Sequence, residues 1–359
     1  MYATNPALAE PMPGELERMA EQLRRVGRLI TTPYPIGQTP KELVWTLNKA
    51  KLYRYVPLVP PEQRRPVPLL IVYALMSRAT ILDLRPGNSF IEYMLGKGYD
   101  VFLIDWGKPG PEDKDLKIDD YVLDYIARAV RKLKALSGAE QFDLLGYCIG
   151  ATLSTCYAAL RPDDGLRNLL LLTALLDFAD KQAPGLMRWV SDQSFDVDKL
   201  VERFGVIPGE LIDYGSKALK PVENYISSYL RLWDNLDNPR IVDSWHAMNT
   251  WLSDYVPVTG AFYRQLIAEL YRENRLMEGT LTLRGERVDL GRIRANLLNV
   301  TAAADHLVPN CQSERIIERV GSPDKQLLRV PGGHIGVMAG SGALKGTWPK
   351  IEHWLSARA

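Results

Sequence analysis

Cys148 stands between two glycines, in Gly146-Tyr147-Cys148-Ile149-Gly150, directly after the apolar run that begins at Phe142. A short apolar run that breaks at a glycine and passes at once into a helical pattern of small residues is a buried strand turning sharply into a helix. In that setting a Gly-x-nucleophile-x-Gly motif holds its central side chain on a strained turn. The glycines leave room for the turn and for close helix–strand contact. A thiol attacks only as thiolate, and an ordinary cysteine with a pKa of ~8.5 is mostly protonated at neutral pH. Cys148 therefore needs a base, and the base needs a third group to orient it.

Four histidines are available. His334 lies in a glycine-flanked loop, Pro331-Gly332-Gly333-His334, after an apolar run, where a side chain can reach across the top of a sheet. His246 and His353 fall inside helical patterns beside Trp245 and Trp354, which suits packed or surface roles. His306 follows Asp305 and competes weakly for the base role. Asp305 itself stands at the carboxyl end of a strand. The order Cys148, Asp305, His334 is the nucleophile–acid–base order of α/β-hydrolases. Each residue also has a plainer reading: a small buried hydrophobe for the thiol, a helix cap for the aspartate, an ordinary turn for Gly-Gly-His. Agreement of three strand ends in the right order favours the triad. Cys156, roughly two turns along the helix after Cys148, reads as core. Cys311 begins a helix, a position that lowers a thiol's pKa, with nothing nearby to use it. Asp177, at another strand end, supports the site or caps the next segment.

Such side chains need a sheet to hold them. Pro68 to Leu75 is nearly all apolar, as in a strand buried on both faces. A helix from Ser89, a strand over Tyr99 to Trp106 and a helix over Ile118 to Leu136 follow. Then come the elbow strand, 142–148, and an apolar strand from Leu166 to Leu176. Strands alternating with helices predict a parallel, doubly wound sheet with functional residues at its carboxyl ends. From about 180 the alternation stops, and helical patterns rich in Trp and Tyr run to about 285. Sheet logic resumes over 295–301 and 325–330, and a helix from Trp348 to Ala357 closes the chain. Residues 67–179 and 286–359 thus read as an α/β-hydrolase core, and 180–285 as an inserted, mostly helical cap. Trp189, Trp233, Trp245 and Trp251 form the cap's interior, an aromatic-lined entrance or partner surface, or both. Residues 1–66 read as an N-terminal helical segment packing on the core. It holds an amphipathic helix over 14–31 (Leu16, Met19, Leu23, Val26, Leu29), and Lys41 to Tyr55 as a second, less regular helix.

Composition narrows the partners. The 359 residues are 46% hydrophobic, enough for a large core, and 44 basic against 43 acidic residues leave a net charge of +1. Without a basic excess there is nothing to neutralise nucleic-acid phosphates. Three scattered cysteines make no disulfide framework. No signal peptide is read at the N-terminus, and no apolar stretch approaches the ~20 residues of a transmembrane helix. The expectation is a cytoplasmic enzyme.

With these residues in place, the elbow resembles the cysteine lipase-like box of poly(3-hydroxyalkanoate) synthases. Val72-Tyr73-Ala74-Leu75, Ile81-Leu82-Asp83-Leu84, Phe102-Leu103-Ile104-Asp105-Trp106-Gly107 and Gly333-His334-Ile335-Gly336 resemble the same family. So do Asn48 to Tyr55 and, in the cap, Ser244-Trp245 with Trp251 and Arg264-Gln265. The likeness runs from about residue 20 to the C-terminus. It is to the short catalytic subunits of two-component synthases, classes III and IV, with cap phrases leaning toward class IV. The resemblance implies Cys148 as acyl-bearing nucleophile, His334 as base, and Asp305 as the acid that orients it or helps activate a chain-end hydroxyl. It implies a 3-hydroxyacyl-CoA substrate, short-chain such as 3-hydroxybutyryl-CoA, and a polyester product, with no cofactor. It also implies a small partner subunit, a homodimer through the cap, and a place at the polyester granule surface.

An oxyanion needs two positioned donors. The elbow supplies the Ile149 backbone N–H, and the loop after the first core strand supplies that of Met76, with Leu75 as the alternative. Here the chain departs from the family, with Met76-Ser77-Arg78-Ala79-Thr80 where an asparagine and a Pro-Tyr pair are usual. Ala151 likewise replaces a common glycine. A thioesterase or polyester depolymerase on the same triad, and a non-catalytic granule scaffold, are the competing readings.

Overall fold

The computed structural model describes residues 13–190, 192, 195–219 and 226–359. One sheet holds eight strands. They are β1 (Lys41–Leu47), β2 (Ala50–Tyr55), β3 (Leu69–Val72), β4 (Val101–Asp105), β5 (Phe142–Tyr147), β6 (Leu166–Leu172), β7 (Asn296–Ala302) and β8 (Lys325–Val330). Across the sheet they run β1-β2-β4-β3-β5-β6-β7-β8. From β4 to β8 every pairing is parallel. β1 and β2 are an antiparallel hairpin added to the β4 edge.

The main helices are α1 (Pro13–Thr31), α2 (Phe90–Gly96), α3 (Ala127–Ser137), α4 (Ile149–Leu160), α5 (Ser228–Asp234), α6 (Pro239–Leu252) and α7 (Trp348–Ser356). Because side chains alternate along a strand, the apolar runs feed two cores at once. Leu70, Val72, Leu144 and Leu171 pack toward α3 and α4. Leu69, Ile71, Leu145 and Leu172 pack toward α2 and α7. Every residue of α4 is buried, which its small side chains permit. Ser89 caps α2 by accepting a hydrogen bond from the Glu92 N–H at 3.0 Å.

Two N-terminal expectations change. Lys41–Tyr55 is the β1–β2 hairpin, not a helix. In addition, α1 rests on the inserted segment rather than on the sheet. Its Val26 and Leu29 pack with Leu232, Leu236, Val242, Trp233 and Trp245. The His246 ring is hydrogen-bonded to the Thr32 carbonyl at 2.5 Å, and Thr250 Oγ1 accepts from the Tyr34 N–H at 2.8 Å.

Between β6 and β7 the described residues are mainly helical, with two two-residue strand pairs, Val206–Ile207 with Val258–Thr259 and Thr282–Leu283 with Glu286–Arg287. The side chain of Trp189 lies outside the described residues. Trp245 donates its indole N–H to Ser228. Trp251 points instead at the sheet domain, as described below.

Candidate active site

β5 carries the chain to Cys148, whose backbone is held at φ 56°, ψ −125°. L-residues rarely occupy that region, and such strain persists only where the surroundings impose it. Here the Cys148 N–H donates to the Leu172 carbonyl at 2.9 Å and its carbonyl accepts from Ala151 N–H at 2.9 Å. The flanking glycines serve close approach. A Cβ on Gly150 would sit 2.1 Å from the Val72 carbonyl oxygen and 2.7 Å from that of Tyr73, and one on Gly146 would sit 2.5 Å from Ala151 Cα. The exit of β3 is thereby pressed against the elbow. Ala151, fully buried, accommodates its extra methyl within the core.

The three sequence-selected residues converge. Asp305, just past β7, has a side chain with no solvent exposure, and that of His334 is 8% exposed. His334 Nδ1 lies 2.8 Å from Asp305 Oδ2. A carboxylate only accepts, so Nδ1 carries the proton and Nε2 is left for another partner. Asp305 Oδ1 is occupied by the Leu307 and Val308 N–H groups, both at 2.9 Å. Burial pulls the imidazole pKa down, but the charge of Cys148 beside it and its hydrogen bonds to Asp305 and Cys148 overcome this and push it up to about 10. The site thus brings together a thiol, an imidazole and a buried carboxylate, groups that can act chemically as nucleophile, base and orienter.

The Ile149 N–H is the first of α4 and so has no acceptor within the helix. Met76 and Leu75 both follow β3, against which Gly150 packs; Leu75 is buried and Met76 half-buried. The segment that carries them is pinned near each end by an indole. Trp106 Nε1 donates to the Tyr73 carbonyl at 2.9 Å and Trp251 Nε1 to the Arg78 carbonyl at 2.7 Å. A small, open depression lies beside Leu75, lined by Trp106, Tyr121, Tyr125 and Lys49.

Sequence reading did not find Tyr147 or Tyr73. The Tyr147 hydroxyl donates to the His334 carbonyl at 2.5 Å. Its ring stacks on Tyr73 with centroids 5.1 Å apart and meets the His334 ring edge-on at 5.6 Å. For Tyr147 the available signal was its place as the motif's second residue, between glycine and nucleophile. Cys156 is fully buried, its thiol pushed up to about 12 by burial. Burial and Asp180 also raise the Cys311 thiol, against the lowering expected of a helix start. Asp177 caps its own turn through Ala179 N–H at 3.0 Å and pairs with Arg315 at 2.7 Å.

A family profile for the alpha/beta hydrolase fold matches residues 68–341. The poly(3-hydroxyalkanoate) polymerase subunit PhaC of Allochromatium vinosum is 39% identical over 323 residues, covering 90% of this chain and 90% of that protein. The chain belongs to the poly(3-hydroxyalkanoate) polymerase PhaC family. Another PhaC subunit, from Haloferax mediterranei, is 38% identical over 324 residues, and there the chain spans 65% of the relative's length. Among solved structures, a soluble variant of the monoglyceride lipase of Saccharomyces cerevisiae superposes with a TM-score of 0.59 at 14% identity, over 91% of this chain and 98% of that one. That likeness concerns the fold alone.

Proposed function

We propose that the chain is a polymerase catalytic subunit that builds polyester from 3-hydroxyacyl-CoA, short-chain substrates such as 3-hydroxybutyryl-CoA among them. The observation that carries this reading is a cysteine on a strained elbow, beside an imidazole oriented by a buried carboxylate, in a chain 39% identical to a PhaC subunit. In the first half-reaction His334 Nε2 takes the Cys148 proton and the thiolate attacks the thioester carbonyl. The oxyanion accepts from the Ile149 N–H and from that of Met76 or Leu75. Donors of this kind are each worth about 10²–10³ in rate. The intermediate expels CoA as thiolate, which takes the proton from His334. In the second half-reaction His334 removes the proton of a chain-end hydroxyl. The alkoxide attacks the acyl-cysteine, the ester forms, and Cys148 leaves as thiolate, which regains the proton from His334.

The choice of sulfur follows from this chemistry. Acyl transfer from CoA to Cys148 exchanges one thioester for another, so the acyl-enzyme keeps the potential needed to make an ester. A serine ester would have spent it. The relatives are named as subunits, which supports a small second subunit here. A homodimer through the cap and a place at the polyester granule belong to the same proposal. No helix among the described residues is long and apolar enough to cross a membrane.

The test is incubation with 3-hydroxybutyryl-CoA, following free CoA thiol and insoluble polyester together. Wild-type protein releases CoA and accumulates polymer, and Cys148→Ala does neither. Free hydroxy acid without polymer would make the chain a thioesterase instead. CoA release that survives Cys148→Ala would remove the thiol from the mechanism.

A further inference from the structure

Arg78 sits in the segment after β3 that carries the second oxyanion donor, and its bonds reach two separate parts of the molecule. Its guanidinium grips Asp105, at the carboxyl end of β4, through two nitrogens, each 3.2 Å from a carboxylate oxygen. The Nε of the same side chain lies 3.4 Å from Asp254, just past α6 in the inserted segment. Asp254 is held in turn by Lys108 at 2.5 Å. The backbone of Arg78 is tied to the same helix, because its carbonyl accepts from the Trp251 indole at 2.7 Å. The Arg78 and Asp105 side chains are only 22% and 23% exposed, so the grip is partly screened from water and geometrically specific.

These contacts have a mechanical consequence. The opposite end of the segment is fixed to the core by Trp106 and by Gly150, which lies against the Tyr73 carbonyl. Its Arg78 end is fixed as much by α6 and Asp254 as by the sheet. Displacing α6 therefore withdraws one indole and one carboxylate from the piece of backbone that must aim an N–H at the oxyanion.

We propose that Arg78 is a positioning residue that locks the oxyanion segment to the cap, so that the acyl-transfer site is complete only when α6 is seated. The inference rests on the polymerase reading above.

Two rates separate the possibilities. Transfer of the acyl group from 3-hydroxybutyryl-CoA to Cys148 in a single turnover passes through an oxyanion. Alkylation of the same thiol by iodoacetamide is a displacement at a saturated carbon and forms none. With Arg78→Gln, acyl transfer is expected to fall about 10–100-fold, as for a displaced or lost donor, while alkylation stays within about twofold. Asp254→Asn, which leaves the Asp105 grip intact, should show a smaller fall of the same pattern. The double variant should fall no further than Arg78→Gln alone. Should Arg78→Gln not fold, Trp251→Phe, which removes only the indole N–H, carries the same expectation. Equal loss of both rates, or acyl transfer unchanged in all the variants, would overturn the proposal. Wild-type protein that is alkylated but releases no CoA would overturn the polymerase reading, and the inference with it.

Discussion

A neighbouring negative charge stabilises an imidazolium, and His334 has two such neighbours, Cys148 and Asp305. Burial opposes the imidazolium, and the Cys148 charge together with Asp305 prevails, raising His334 to about 10. The folded value then lies above the unfolded value of ~6.5. The stability His334 contributes is accordingly complete below about pH 6.5 and is lost as pH rises through the folded value. Cys148→Ala deletes the largest influence that raises this pKa, so the loss should begin at a lower pH in the variant. The ring's NMR titration should show the same downward shift of midpoint, and urea unfolding across that pH range should show the earlier decline. An unchanged midpoint in Cys148→Ala would mean that the thiol does not act on the imidazole, and the proposed proton transfer would lose its basis. That Cys148, Asp305 and His334 meet was legible in the sequence because each sits in its own short motif at a strand end. The roles of Arg78, Trp251 and Tyr147 were not, because their partners lie far along the chain. Trp251 is 173 residues from Arg78, and Tyr147 is 187 from His334.

At the level of elements, the elbow depends on how closely α4 approaches β3. Gly150→Ala would place a methyl 2.1 Å from the Val72 carbonyl oxygen, a backbone atom with no freedom to withdraw. The variant should lose at least about 3 kcal/mol, at the severe end for overpacking, and yield little folded protein. Gly27, inside α1, is the contrast: a Cβ there meets nothing within 4 Å. Gly27→Ala should gain up to about 1 kcal/mol from helix propensity. Denaturant midpoints of the two variants against wild type check both signs. A tolerated alanine at 150 would mean that the strand and helix are less tightly joined than the geometry requires. The same elements show what sequence pattern can carry. β3, β5 and β6 were readable because burial on both faces leaves a continuous apolar run. The β1–β2 hairpin was misread as a helix because it lies at the sheet edge. Leu43 is 51% exposed, Val44 and Trp45 are both half-buried, and no two-residue alternation survives. Its turn offered one cue, Asn48, which takes φ 50°.

Over the whole molecule, the inserted segment must return to the core at a fixed place if α6 is to seat on the segment after β3. Asn274 marks that return. Its backbone adopts φ 52°, ψ 31°, its Oδ1 accepts from the Phe178 N–H at 2.8 Å, and its Nδ2 donates to Asp177 Oδ1 at 3.0 Å. Asp177 also holds Arg315 at 2.7 Å, so one buried side chain joins the exit of β6, the end of the insertion and the segment after β7. Asn274→Ala removes both side-chain bonds and places an ordinary residue in a left-handed conformation. Asn274→Gly removes the same bonds and relieves the backbone. Unpaired buried partners cost about 1–3 kcal/mol, and the left-handed conformation adds roughly 1–2 kcal/mol for alanine alone. The glycine variant should therefore fall between wild type and alanine in unfolding midpoint. Because the two variants differ only in strain, the gap between them measures the backbone term and the glycine loss measures the seam. If that seam seats the cap, both variants should slow acyl transfer more than they slow alkylation of Cys148, in proportion to the stability each has lost. A glycine variant as stable as wild type, with both rates unchanged, would show that the insertion is held in place elsewhere.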